Sequence, residues 1–128
     1  MLVKIQGILV DGSGTATPVG QAISLPQGMD ATVQLSVTNQ AGAAVDLTAY
    51  QGLRLTVKSA SVGGIPIASI AAVISDPTHG VCTFTLPGAT TRQLLGTYVY
   101  DVVSTNGSGG RDEVVPDSFL EINQAVGA

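Results

Sequence analysis

The chain is organised by a two-residue alternation of hydrophobic and polar side chains. The alternation is clearest at Val33–Val37, at Leu53–Val57 and at Cys82–Leu86. Successive side chains of a β-strand point to opposite faces of a sheet, so each segment predicts a strand with one buried and one solvated face. No segment carries a hydrophobic face of three helical turns, which indicates an all-β protein.

Turn-forming residues separate these segments, among them Asp-Gly at 11–12 and Asn-Gly at 106–107. Eight strands are predicted, at about 2–10, 21–25, 31–38, 53–59, 67–75, 81–86, 97–104 and 113–123. One helical turn is predicted at Ala89–Leu95, capped by one of its two threonines and ended by Gly96.

Many short strands with frequent turns favour an immunoglobulin-like antiparallel β-sandwich of seven to eight strands over a parallel α/β sheet. Residues 26–128 form the sandwich in this prediction. Residues 1–25 form either an N-terminal strand or arm, or an extra hairpin. An exposed arm of this kind is a template for strand addition to another subunit.

A tyrosine pair near the end of the chain predicts one corner of the sandwich. Leu95–Tyr100 resembles the corner before strand F of immunoglobulin-like domains, where a tyrosine stands two residues ahead of the second cysteine. Here Tyr98 takes the first of these positions and Tyr100 the second. We expect a sandwich without the antibody-type disulfide, in which the Tyr98 hydroxyl bonds to nearby backbone.

Composition adds that the surface is short of charge. Of the 128 residues, 45% are hydrophobic, enough for a core, but only 11% are charged, against about 25% in an average domain. A surface of small polar residues suits a protein that neighbours cover, and the alternative is an ordinary sandwich rich in Thr and Ser.

Charge and hydropathy also exclude some classes of function. The net charge is −4 and no basic stripe is present, which argues against nucleic-acid binding. No apolar run reaches the length of a membrane span, and the N-terminus lacks a secretory signal pattern. One cysteine allows no internal disulfide, which fits assembly in a reducing cytoplasm or an export leader already removed.

Residues that could act in catalysis or bind a metal are few and are not grouped into a recognisable motif. His79 is the only histidine, and Cys82 falls on the apolar side of a strand, where a small core residue is favoured over a nucleophile. Asp11–Gly14 and Asp112–Glu113 offer oxygens to calcium, but their spacing matches no known loop and favours turn formation. The glycines at 107–110 predict a flexible hairpin tip and not a phosphate loop. We predict no catalytic site, no cofactor and no metal.

Five residues are candidate contacts with a protein partner: Val3, Ile5, Ile8, Phe119 and Glu121. Phe119 points outward beside Glu121 if the residues next to it face the core, and the opposite register buries it. The alternation leaves both registers open. Residues 67–74 are apolar on both faces, as in a strand covered on both sides at a subunit contact.

Four motifs occur in a fixed order along the chain: Gly28–Asp30, Asp46–Thr48, the strand Leu53–Lys58 and the strand Gly96–Val102. With them, residues 26–122 resemble the N-terminal immunoglobulin-like domain of phage baseplate upper proteins and related virion modules. Val115–Ser118 stand where that pattern has a glycine. The opening of the chain at 3–25, with Val-Lys-Ile-x-Gly-x-Leu-x-Asp-Gly-x-Gly, resembles the start of lambdoid side tail fibre proteins.

These resemblances imply a non-enzymatic structural protein of a tailed-phage virion, assembled in the host cytoplasm. A single domain favours a capsid decoration, or cement, protein that binds the major capsid protein across neighbouring subunits, and by analogy a homotrimer. One alternative is a baseplate or tail adaptor that docks a fibre or receptor-binding protein. The other is a carbohydrate-binding or adhesin module, which the lack of tryptophan disfavours.

Overall fold

The computed structural model describes residues 1–49, 52–59, 64–105 and 111–124. The strands among them are β1 (Leu2–Leu9), β2 (Ile23–Pro26), β3 (Ala31–Asn39), β4 (Arg54–Lys58), β5 (Pro66–Ala71), β6 (Val73–Asp76), β7 (Val81–Leu86), β8 (Gly96–Thr105) and β9 (Arg111–Asn123). A short helix, α1 (Gly88–Thr91), and 3₁₀ turns at Leu47–Ala49 and Pro77–His79 complete the described elements.

The strands form two sheets that pack face to face. One sheet has the strand order β1-β3-β7-β6 and the other the order β2-β9-β8-β4-β5. Most neighbouring strands are antiparallel, whereas β1 pairs with β3 and β2 pairs with β9 in parallel. The prediction of an immunoglobulin-like β-sandwich is confirmed.

The hydrophobic half of each alternation builds the core between the sheets. Leu35 and Val37 of β3 and Leu55 and Val57 of β4 are all buried in one cluster. Burial of each such side chain contributes about 1.5–3 kcal/mol relative to an exposed one. The periodicity that predicts the strands is therefore also the main source of their stability.

Residues 1–25 supply one strand to each sheet. Ile5 of β1 and Leu25 of β2 are buried in the same core as the rest of the sandwich. Gly7 also points inward, where a Cβ atom would collide with the side chain of Val114 on the opposite sheet. Since β1 and β2 lie in different sheets, they do not form a hairpin with each other.

Gln21 joins the two sheets where the chain passes from one to the other. Its side-chain oxygen accepts a hydrogen bond from the Gln6 amide of β1 at 2.9 Å, and its side-chain nitrogen donates to the Gln6 carbonyl. Its backbone N–H donates to the Ser118 hydroxyl of β9 at 3.0 Å, and its carbonyl accepts from the Tyr100 hydroxyl of β8. The Gln21 side chain thus satisfies the backbone N–H and carbonyl of Gln6 on the edge strand β1, where a strand of another chain could otherwise pair.

The tyrosine corner forms as predicted. The Tyr98 hydroxyl accepts a hydrogen bond from the Leu95 amide at 3.2 Å and donates to the Leu95 carbonyl at 3.3 Å. Tyr100 is fully buried, and this burial raises the pKa of its hydroxyl to about 12. Tyr100 therefore stands in the core as a neutral hydrogen-bond donor, at the position that a disulfide cysteine takes in antibody domains.

The predicted helical turn at Ala89–Leu95 is shorter in the structure and starts at Gly88. No threonine caps it, because Thr90 and Thr91 lie at its C-terminal end and the N-cap position is Pro87. The Thr91 hydroxyl accepts a hydrogen bond from the Gly28 amide at 3.1 Å. The Gly88 amide instead donates to the Asp30 carboxylate at 2.6 Å.

The single strand predicted at 67–75 is two strands in the structure. The chain leaves the five-stranded sheet at Ala72 and enters the four-stranded sheet as β6, so β5 and β6 are edge strands of different sheets. Ile70 and Ile74 pack against the core, whereas Ile67 and Val73 are exposed. The same alternating positions, Ala68, Ile70, Ala72 and Ile74, face the core before and after the change of sheet, so the apolar residues of the opposite face lie outward. The predicted hairpin tip at 107–110 lies outside the described residues.

Candidate interaction surface

Phe119 is the most prominent apolar residue on the outer face of the five-stranded sheet. Its side chain is 66% exposed, whereas Leu120 and Ile122 on the same strand are buried. This settles the register that the sequence leaves open, with Phe119 and Glu121 outward. An exposed phenylalanine on a sheet is a candidate anchor for a protein contact.

The surroundings of Phe119 combine apolar and acidic groups. Val99 lies opposite it on β8 and is almost completely covered, although it also points away from the core. Two shallow grooves of about 140 Å³ and 390 Å³ flank Phe119. Their other lining residues are Val99, Asp117 and Ser118 in the smaller groove, and Ala22, Ile23, Ser24, Thr97 and Glu121 in the larger one.

An ion-pair cluster stands next to this site. The Lys58 ammonium lies 3.0 Å from the Asp117 carboxylate and 3.4 Å from the Asp101 carboxylate. These two ion pairs connect β4, β8 and β9. Its hydrogen bond to Asp117 is the largest influence that raises the pKa of Lys58. Lys58 therefore neutralises two of the acids on this face, and Glu121 is not one of them.

The candidate residues on β1 do not share a surface with Phe119 and Glu121. Val3 and Ile5 point inward, and Ile5 is only 4% exposed, so it is a core residue in this structure. Ile8 points outward, opposite Thr38 of β3. It lies on the outer face of the four-stranded sheet, on the far side of the sandwich from Phe119.

The outer face of β1, β3 and β7 is almost uncharged, whereas β6, at the edge of the same sheet, ends in the exposed Asp76. Among the described outward positions of β1, β3 and β7, Lys4 is the single charged residue. The rest of this surface is mainly threonine, serine and glutamine: Gln6, Thr32, Gln34, Ser36, Thr38, Thr83 and Thr85. The polar half of the sequence alternation in these three strands therefore folds into one nearly uncharged face.

His79, the one histidine of the sequence, pairs with Asp76 of the same turn. His79 Nδ1 lies 2.9 Å from the Asp76 carboxylate, and hydrogen bonding to His79 is the largest influence that lowers the pKa of Asp76. Both side chains are at least half exposed to solvent, which screens their interaction. The pair closes the turn between β6 and β7.

Other candidate groups have structural roles. Cys82 is completely buried, and burial raises the pKa of its thiol to about 11, so it is a protonated core residue at neutral pH. The Asp11 carboxylate accepts a hydrogen bond from the Ser13 amide at 2.9 Å, as a turn-forming aspartate does. Asp112–Glu113 lie within β9 and not in a loop.

The described ranges contain neither a metal-binding cluster nor a membrane-spanning helix. Across 1–49, 52–59, 64–105 and 111–124, no three His, Cys, Asp or Glu residues are grouped closely enough to hold a metal ion. No helix in this part of the chain has the length and hydropathy needed to cross a bilayer.

Comparison with known proteins places the chain by its fold. No protein-family model matches it, and no curated protein matches its sequence. Among solved structures it is similar to the N-terminal domain of ORF48 of phage TP901-1, with a TM-score of 0.53 and 12% identity, over 97% of this chain and 100% of that one. At this identity, the likeness shows a similar fold and nothing further about the chain.

Two further solved structures resemble it more distantly. The fibronectin(III)-like modules of Clostridium thermocellum CbhA give a TM-score of 0.42 and 18% identity, over 88% of this chain and 94% of that one. Murine CRIg gives a TM-score of 0.41 and 11% identity, over 80% of this chain and 92% of that one.

Proposed function

We propose that this chain is a non-enzymatic structural module of a tailed-phage virion, assembled in the host cytoplasm, that holds neighbouring virion proteins together. The observation that carries the proposal is the likeness to a phage domain along essentially the full length of both chains. The motifs at 26–122 point to phage virion modules independently of that likeness.

The surface chemistry supports a role in contact and not in turnover. The uncharged outer face of β1, β3 and β7 can be removed from water without desolvating more than one charge, that of Lys4. Protein interfaces are depleted of charge at their centres and draw on buried area and close packing. We assign this face to the contact with a virion neighbour.

Two positions in the particle fit such a module. As a capsid decoration protein it binds the major capsid protein across neighbouring subunits and stabilises the head. As a tail or baseplate adaptor it docks a fibre or receptor-binding protein. The adaptor gains support from the comparison, because the similar phage domain is the N-terminal part of a protein and not a whole one.

Binding to separated particle parts distinguishes the two positions. Purified chain is mixed with empty heads and with isolated tails of the phage that encodes it, and each mixture is sedimented. Saturable co-sedimentation with heads supports decoration, and co-sedimentation with tails supports the adaptor.

A matched pair of variants sharpens this experiment. Thr83→Lys charges the uncharged face, whereas Thr56→Lys makes the same change on the outer face of the other sheet. We expect only Thr83→Lys to weaken binding. Absence of binding to both parts contradicts the proposal.

A further inference from the structure

Three large exposed apolar side chains lie on segments that meet at one end of the sandwich. Phe119 is 66% exposed, Leu95 57% and Met29 50%. Together with the charged residues Arg92 and Glu121 they define what we call the Phe119 surface. Sequence reasoning finds Phe119 and Glu121 but misses the other three, which lie in turns without periodicity.

Hydrogen bonds and strand pairing bring these segments to the same end of the sheet. The Gln27 amide donates to the Asn123 carbonyl at 2.7 Å, and the Gln27 side chain donates to the Arg92 carbonyl at 2.9 Å. Thr97 stands opposite Glu121 in the pairing of β8 with β9, and Leu95 precedes Thr97 by two residues. Arg92 and Glu121 are therefore held at the same end of the sandwich.

Arg92 and Glu121 are not paired with an opposite charge of the described residues, in contrast to Lys58 in the neighbouring ion-pair cluster. Lys58 is neutralised by two carboxylates of its own chain. Within the described residues, neither Arg92 nor Glu121 has an oppositely charged group within 4.0 Å, and both are exposed. The surface thus combines three exposed apolar side chains with one base and one acid that have no salt-bridge partner among the described residues.

We propose that the Phe119 surface binds a second copy of this chain, about a symmetry axis close to Phe119, with Arg92 of one copy paired to Glu121 of the next. A patch that carries both members of an ion pair is complementary to itself, which closed symmetric assemblies require. Phe119 packs against its symmetry mate at the centre, and the grooves beside it receive neighbouring side chains. This inference holds whether or not the chain belongs to a virion.

Sedimentation equilibrium of the whole chain tests the association. We expect wild-type protein to form a dimer, and Phe119→Ala to weaken self-association about tenfold or more. Val73→Ala is the matched control, because Val73 is 64% exposed but lies on β6 of the other sheet. A wild-type monomer at all concentrations, or equal association of wild type and Phe119→Ala, overturns the proposal.

Charge reversal tests the predicted partners. Arg92→Glu and Glu121→Arg each place like charges together, and each is expected to weaken association about tenfold, whereas the double variant restores it. A melting curve for each variant confirms that it folds. A double variant no tighter than the single ones overturns the Arg92–Glu121 pairing, and so does association of Glu121→Arg at wild-type strength.

Discussion

The two outer faces of the sandwich rest on the same core but carry different chemistry. The four-stranded sheet presents threonine, serine and glutamine with Lys4 as the one charge on the described outward positions of β1, β3 and β7. The five-stranded sheet presents the Lys58 ion pairs and the exposed Phe119. The inward side chains stabilise the fold, and the outward side chains determine the chemistry of the surface that each face offers to a partner.

The largest expected difference is between inward and outward positions of the same strand, β1. Ile5→Ala opens a cavity in the core, so we expect it to lower the free energy of unfolding by about 2–4 kcal/mol. Ile8→Ala on the same strand removes an outward side chain and is expected to cost less than about 1 kcal/mol. Urea denaturation measures both, and equal losses would contradict the placement of β1 in the core.

The link between the two sheets is the next point to test. Tyr100→Phe removes the donor to the Gln21 carbonyl and leaves that half-buried acceptor with one partner fewer. We expect a loss of about 1–2 kcal/mol in unfolding free energy. Unchanged stability in the same urea titration would show that Gln21 does not depend on the core for its position.

Ser104 and Ser118 are buried polar residues on the described strands, and replacing Ser104 should stabilise the protein. Ser104 is buried on β8, and its hydroxyl has no hydrogen-bond partner among the described residues. Ser104→Ala removes the unsatisfied group, and we expect a gain of about 1 kcal/mol. Ser36→Ala, on the uncharged outer face, serves as the control with little change. A less stable Ser104→Ala would mean that the hydroxyl has a partner after all.

The smallest effect concerns the charged face. The raised pKa of Lys58 means that its stabilisation is complete below the unfolded-state value of about 10.4 and is lost as the pH rises through the higher folded-state value. Wild type should therefore lose up to about 1 kcal/mol more than Lys58→Met at alkaline pH. Thermal melts of both proteins across this range measure the difference, and parallel curves would show that the ion pairs contribute nothing.

The sequence predicts strands well where one face is apolar and the other polar. β3 and β7 begin and end within a residue of their predicted bounds. The alternation of hydrophobic and polar residues in them indicates both that the segment is a strand and which of its faces is buried. The segment 67–75 lacks that contrast, since apolar residues occupy both faces. Its division between the two sheets at Ala72 is therefore invisible in the pattern.

The contact surface is less predictable from sequence than the fold. The two registers of Phe119 place different residues in the core, and only the packing of Leu120 and Ile122 against the other sheet decides between them. The roles of Arg92 and Gln21 depend on partners distant in the chain, since Gln21 and Tyr100 are 79 residues apart. Local periodicity carries no information about such pairs.

The most direct test of the central claim is a cryo-electron microscopy map of the particle of the phage that encodes this chain. The account predicts a two-sheet sandwich bound to a virion protein, with the uncharged face of β1, β3 and β7 covered by that neighbour. A particle without the chain, or one in which that face is open to solvent, would contradict it.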